Sequence, residues 1–148
     1  MVVASADTLS AAGRLLARPL PKLGSTPGSY PGQARLEAIG EQLGPGQRVI
    51  AYSANYGLPL MYYSKLMVTY WSNPQFPDQA AVLGEPIATD AEQLRALIAS
   101  ANPHYFIVVP FSAPPIALTG LLSARYATVL SEPDLQVYDL TQPRPPAN

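Results

Sequence analysis

Apolar positions along the chain change their period several times, and each change marks an element. From Gln33 onward, Leu36, Ile39 and Leu43 share one helical face while Arg35, Glu37 and Gln42 point elsewhere. A helix is therefore expected that stops at Gly44-Pro45-Gly46. Residues 48–53 open with Val49, Ile50 and Ala51, the short continuous apolar run of a strand buried on both faces. A second helix is expected over 57–65, with Asn55 near its cap and Pro59 in its first turn, where a missing amide costs little. Residues 66–71 supply a second strand, and 72–88 read as a loop with a brief strand at 81–83. Thr89 followed three residues later by Glu92 matches a capping box, behind which Leu94, Leu97, Ile98 and Ala101 form an apolar stripe. Asn102-Pro103 ends that helix. The aromatic and β-branched run at 105–109 is a third strand, and Ser112 with Pro114-Pro115 opens a fourth helix through about Arg125. Residues 128–130 and 135–140 flank a Glu132-Pro133-Asp134 turn and read as a hairpin.

Strands alternating with helices imply βαβ units and right-handed crossovers. The expected fold is α/β: a three-layer αβα sandwich whose mostly parallel, Rossmann-like sheet carries a C-terminal antiparallel hairpin. Ligands in such folds bind outside the carboxyl ends of the strands. That rule places Ser53, Asn55, Tyr56, Ser72, Asn73 and Ser112 along one rim as the candidate binding residues. Proline-rich stretches divide the rest: residues 1–32 read as a flexible N-terminal linker, 33–141 as the α/β domain and 142–148 as a Pro-rich tail.

Composition narrows the options. At 148 residues the chain suits one domain with a real core. Hydrophobic residues make up 48% of it and charged residues 13%, about half the usual charged share, so much of the surface must be buried or must face a partner. Nine Lys and Arg stand against ten Asp and Glu with no block of like charge, which excludes a nucleic-acid partner. The absence of cysteine excludes disulfides, a thiol nucleophile and a Cys-based zinc site. No formally charged residue lies between Arg95 and Arg125, yet Pro103, Pro110, Pro114 and Pro115 interrupt this stretch too often for a membrane-spanning helix. The N-terminus lacks a basic start and carries Asp7, which makes it a poor signal peptide.

Motifs for chemistry are sparse. The first strand is followed by a single glycine, Gly57, rather than by the closely spaced set that cradles a pyrophosphate. Neither Ser53 nor Ser112 sits in a G-x-S-x-G elbow, so neither is marked as a nucleophile. The sole histidine, His104, precedes the third strand at the amino end of the sheet, away from the rim, and reads as a solvent-facing turn residue. No carboxylate pair accompanies it at metal-ligand spacing; no metal, cofactor or catalytic residue is expected. Tyr52, Tyr56, Tyr62, Tyr63, Tyr70 and Trp71 are six of the ten Tyr and Trp residues. They fit either a Tyr-rich core with hydroxyls at its rim or a surface that stacks on a sugar, a lipid head group or a partner protein.

The order of a polar linker, an amphipathic helix, "GQRVIAYSANYGLPLMYYSK", "DAEQLRALIASANPHYFIVV" and a closing "RYATVLSEPDLQVYDL" resembles a known arrangement over roughly residues 33–141. It is similar to the soluble domain that follows the last membrane helix of GT-C glycosyltransferases, such as protein mannosyltransferases and aminoarabinose lipid A transferases. The resemblance implies an extracytoplasmic, membrane-associated accessory domain of a polyprenyl-phosphate-sugar-dependent enzyme, tethered to a longer polypeptide. Its partners would be the membrane-embedded part of the parent enzyme and a glycan or lipid-linked sugar. The family's catalytic acid lies in a loop of the membrane body with no counterpart here, so no catalytic residue carries over. Two other readings stand beside it: a free-standing Rossmann-like module that binds a small ligand or regulates a partner, and, ranked last, a small hydrolase using Ser53 or Ser112.

Overall fold

The computed structural model describes residues 32–71, 84, 88–109 and 116–145. In chain order the described elements are α1 (Gln33–Leu43), β1 (Arg48–Tyr52), a 3₁₀ turn (Ala54–Gly57), α2 (Leu58–Ser64), β2 (Met67–Tyr70), α3 (Asp90–Ala101), β3 (Tyr105–Val108), α4 (Ile116–Arg125), β4 (Ala127–Glu132) and β5 (Leu135–Asp139). They form an α/β fold around a five-stranded mixed sheet of order β2-β1-β3-β5-β4. β1 pairs in parallel with β2 and β3, while β5 pairs antiparallel with β3 and β4, so β5 alone runs against the other four. The expected closing hairpin is present as β4–β5. The brief strand expected at 81–83 lies outside the described residues.

The pleat explains the apolar runs. Successive side chains leave opposite faces of a strand. Val49 and Ala51 of β1, Ile107 of β3, and Leu135 and Val137 of β5 join one cluster with Ile39 and Leu43 of α1 and Leu60 of α2. Ile50 and Tyr52, Phe106 and Val108, and Tyr138 join another with Leu94 of α3, Leu118 and Leu122 of α4, and Trp71. β1 and β3 are thus apolar at consecutive positions because both of their faces are covered. Each fully buried Val, Leu, Ile or Phe contributes about 1.5–3 kcal/mol relative to exposure.

Local signals at the helix ends act as their chemistry requires, with one exception. At α3, Thr89 Oγ1 accepts the Glu92 N–H at 3.3 Å and a Glu92 carboxylate oxygen accepts the Thr89 N–H at 2.9 Å, the reciprocal capping box. The Thr89 backbone N–H foremost, and the Thr89 hydroxyl, which donates to the same carboxylate oxygen at 2.9 Å, hold the Glu92 carboxyl below its usual value. α1 ends on Gly44 at φ 98°, a backbone state open to glycine without steric cost. The exception is α2. Its N-cap is Gly57, at φ 75°, with no side-chain cap, and Asn55 lies a step earlier in the 3₁₀ turn, where its backbone carbonyl accepts the Leu58 N–H. Asn55 therefore shapes the corner through its backbone, at φ 51°, rather than capping through its side chain.

Two contacts fix α1. A Cβ built at Gly40 would fall 1.9 Å from the carbonyl oxygen of Ser64, so only glycine lets α1 approach the last turn of α2 this closely. On the other side, Arg35 Nη2 bonds the Glu132 carboxylate and lies 2.6 Å from Asp134 Oδ1, tying α1 to the β4–β5 turn. Past β5 the chain returns to α4, where the Arg144 N–H meets the Arg125 carbonyl at 2.6 Å and its guanidinium meets the Ser123 carbonyl at 3.1 Å. Among the described residues no helix is long and apolar enough to cross a membrane.

Gly40→Ala is expected to lower unfolding stability by about 3 kcal/mol, because backbone must move to admit the methyl group. Gly120→Ala in α4, where a Cβ would meet nothing within 4 Å, is expected to raise it by about 1 kcal/mol. Urea unfolding of both variants measures the contrast.

Candidate functional site

Strand order reverses direction between β1 and β3, the position at which open α/β sheets form ligand crevices. Tyr52 and Val108 face each other there, and the Val109 N–H still bonds the Tyr52 carbonyl at 2.8 Å, so the two strands stay joined to their ends. Of the six rim residues, Ser53 and Asn55 lie together just past β1. Ser53 is buried and Asn55 exposed. The backbone of Tyr56 belongs to the same 3₁₀ turn. Ser72, Asn73 and Ser112 lie outside the described residues. On the described part of the rim, then, one exposed amide side chain accompanies a buried hydroxyl. That set can hydrogen-bond a ligand but brings no base to a nucleophile.

His104 sits at the opposite end of the sheet and is exposed, as its position before β3 implies. Its Nδ1 pairs with the side-chain amide of Gln47, an uncharged partner. A Ser-His-Asp triad needs a carboxylate in that place. The nearby Asp139 carboxylate instead accepts from the backbone N–H and hydroxyl of Thr141, at 2.8 and 2.5 Å. Asp139 also stands opposite Tyr105 in the sheet register. Burial first, and the Asp139 charge second, push the Tyr105 hydroxyl above its ordinary value of 10.0.

The aromatic cluster divides between core and surface. Tyr52 and Trp71 are buried, the latter edge-on to Phe106 with ring centroids 5.5 Å apart. Tyr62 is 68% exposed, and with Leu58 (55%), Met61 (43%) and, from β2, Met67 (56%) it makes up four of the five exposed large apolar side chains among the described residues, Ile116 of α4 being the fifth. Leu58, Met61 and Tyr62 fall at i, i+3 and i+4 on α2, and Lys65 continues the line with its Nζ 5.1 Å from the Tyr62 ring centroid. A shallow groove of about 620 Å³ runs over Leu58, Pro59, Met61, Tyr62, Tyr63 and Lys65. Met61 also borders a second groove of about 530 Å³, which reaches Met67 and Arg48. On the α1 side, Glu37 and Glu41 line a third, of about 370 Å³, with Tyr62, Tyr63 and Lys65.

The rim rule did not find this surface, since it lies on the outer side of α2 and the sheet edge rather than at the strand ends. In the structure Leu60 and Ser64 form the inward face of α2, which leaves Leu58, Met61 and Tyr62 facing out; Leu58, Leu60 and Met61 are equally apolar in the sequence, so only packing separates them. Among the described residues no group of His, Cys, Asp or Glu is placed to hold a metal ion. Comparison with protein-family models, curated proteins and solved structures finds no match to this chain.

Because its folded-state pKa is raised, Tyr105 adds stability that is complete below pH 10 and is lost as the pH rises through the higher folded value. Asp139→Asn removes the lesser cause and leaves burial. The Tyr105 pKa is expected to fall part of the way toward 10, read from ring-carbon shifts by NMR titration.

Proposed function

We propose that this chain is a non-catalytic accessory domain of a GT-C-type membrane glycosyltransferase that uses polyprenyl-phosphate sugars. In this reading it lies on the extracytoplasmic face, tethered to the membrane-embedded part of the same enzyme, where it shapes access for the acceptor. The observation that carries the reading is the exposed apolar face of α2 and β2. Leu58, Met61 and Tyr62 line one groove and Met61 and Met67 the adjoining one, on a domain of unusually low charge, the mark of a face that meets something other than water. The element order is the second support. Apolar clusters on both faces of the sheet favour a three-layer, Rossmann-like αβα sandwich as its architecture.

The alternative is a free-standing Rossmann-like module for a small ligand. It is favoured by Asn55, exposed and held in a left-handed backbone state beside the β1/β3 reversal. Sequence upstream of Met1 separates the two. A reading frame that continues upstream into a series of membrane-spanning segments is expected. A frame with no such segments, together with a thermal shift of the purified chain by sugars or nucleotides, would transfer the assignment to the alternative.

A further inference from the structure

We propose that the α2–β2 face rests directly on a phospholipid surface, with Leu58, Met61, Tyr62 and Met67 in the interfacial layer and Lys65 and Arg48 at the level of the lipid phosphates. The inference rests on the accessory-domain reading, in which a tether keeps this face close to a bilayer, and it names the partner of that face.

The arrangement of charge around the apolar band carries the argument. Lys65 lies on one flank, its ammonium placed over the Tyr62 ring. Arg48 lies on the other, in register with Met67 across β1 and β2, and both residues border the same groove. Both cations are exposed, and among the described residues neither forms an ion pair with a carboxylate. An apolar protein surface would leave them without counter-charges, whereas a lipid surface offers a layer of phosphates just above its apolar layer. Long basic side chains reach such a layer while their stems stay among apolar groups. Tyr62 suits the same boundary, with an apolar ring and a polar tip. Glu37 and Glu41 lie beyond Lys65 on α1, and the Gln33 side-chain amide donates to Glu37 at 2.8 Å. Contact with phosphates therefore favours an orientation in which the α1 edge tilts away from the bilayer and the Arg48 edge tilts toward it.

The chain has no native cysteine, so a single introduced one reports one position. Met67→Cys carries an environment-sensitive fluorophore in the full chain, which is attached through an N-terminal oligohistidine to chelating lipid in vesicles of phosphatidylcholine with phosphatidylglycerol. Ala124→Cys, at an exposed position on α4, is the control. A blue-shifted, enhanced signal at position 67 and none at 124 is expected, with loss of the signal when Met61→Asp and Tyr62→Asp are added. For the untethered chain, Lys65→Gln and Arg48→Gln are each expected to lower vesicle partitioning about fivefold. Circular dichroism confirms that the variants fold. An unchanged signal at position 67, or one insensitive to the two aspartates, overturns the proposal. So does self-association through this face without any vesicle response. Absence of a lipid response alongside upstream membrane segments defeats the inference and spares the accessory-domain reading. A lipid response without such segments does the reverse.

Discussion

Burial of β1 and β3 on both faces is the constraint on which the rest of the molecule depends. Val49, Ile50 and Ala51 in one strand, and Phe106 and Ile107 in the other, have no exposure. Their backbone groups are paired on both sides, to β2 and β3 in the first case and to β1 and β5 in the second. A strand in that position can hold no unpaired charge, and it obliges apolar helices to cover it from above and below. Apolar residues of α1 and α2 join the cluster that holds Val49 and Ala51, and those of α3 and α4 the cluster that holds Ile50 and Tyr52.

Covering the sheet then decides which side of α2 is left outside. Leu60 and Ser64 point inward, and the contact between Gly40 and the Ser64 carbonyl leaves no room for α2 to roll. α1 is itself held by Arg35, whose two carboxylate partners sit on the β4–β5 turn. Once these contacts are made, Leu58, Met61 and Tyr62 have no surface within the described domain to meet. The exposed band follows from the packing of the core, and its use would cost the fold little, because no central strand has to move.

Where a single segment carries its own instruction, the reading from sequence holds at α1, α3 and the β4–β5 hairpin but not at the start of α2. The helix at Gln33–Leu43 needs only its apolar spacing and the glycines at its end. The capping box at Thr89 and Glu92 joins residues three apart, and the β4–β5 hairpin is set by its own short turn. Asn55 departs from its expected capping role because it lies inside the 3₁₀ turn, at φ 51°, and α2 begins only after Gly57. As for the candidate site, the rim at Ser53 and Asn55 follows from strand ends alone, while the α2 face required knowing which aromatics the core had already taken. Tyr52 and Tyr62 are equally tyrosine in the sequence, and only packing distinguishes them.

Period, caps and breakers thus determined by themselves that this is an α/β chain, where most of its elements start and stop, and that both faces of its central strands are covered. Tertiary structure alone decided that Arg35 meets acids nearly a hundred residues away, that Gly40 is a contact point, and that an apolar band faces outward beside Lys65 and Arg48. The reason is one of range. Propensity and capping act between neighbours along the chain, whereas burial is assigned only when segments distant in sequence compete for the same volume.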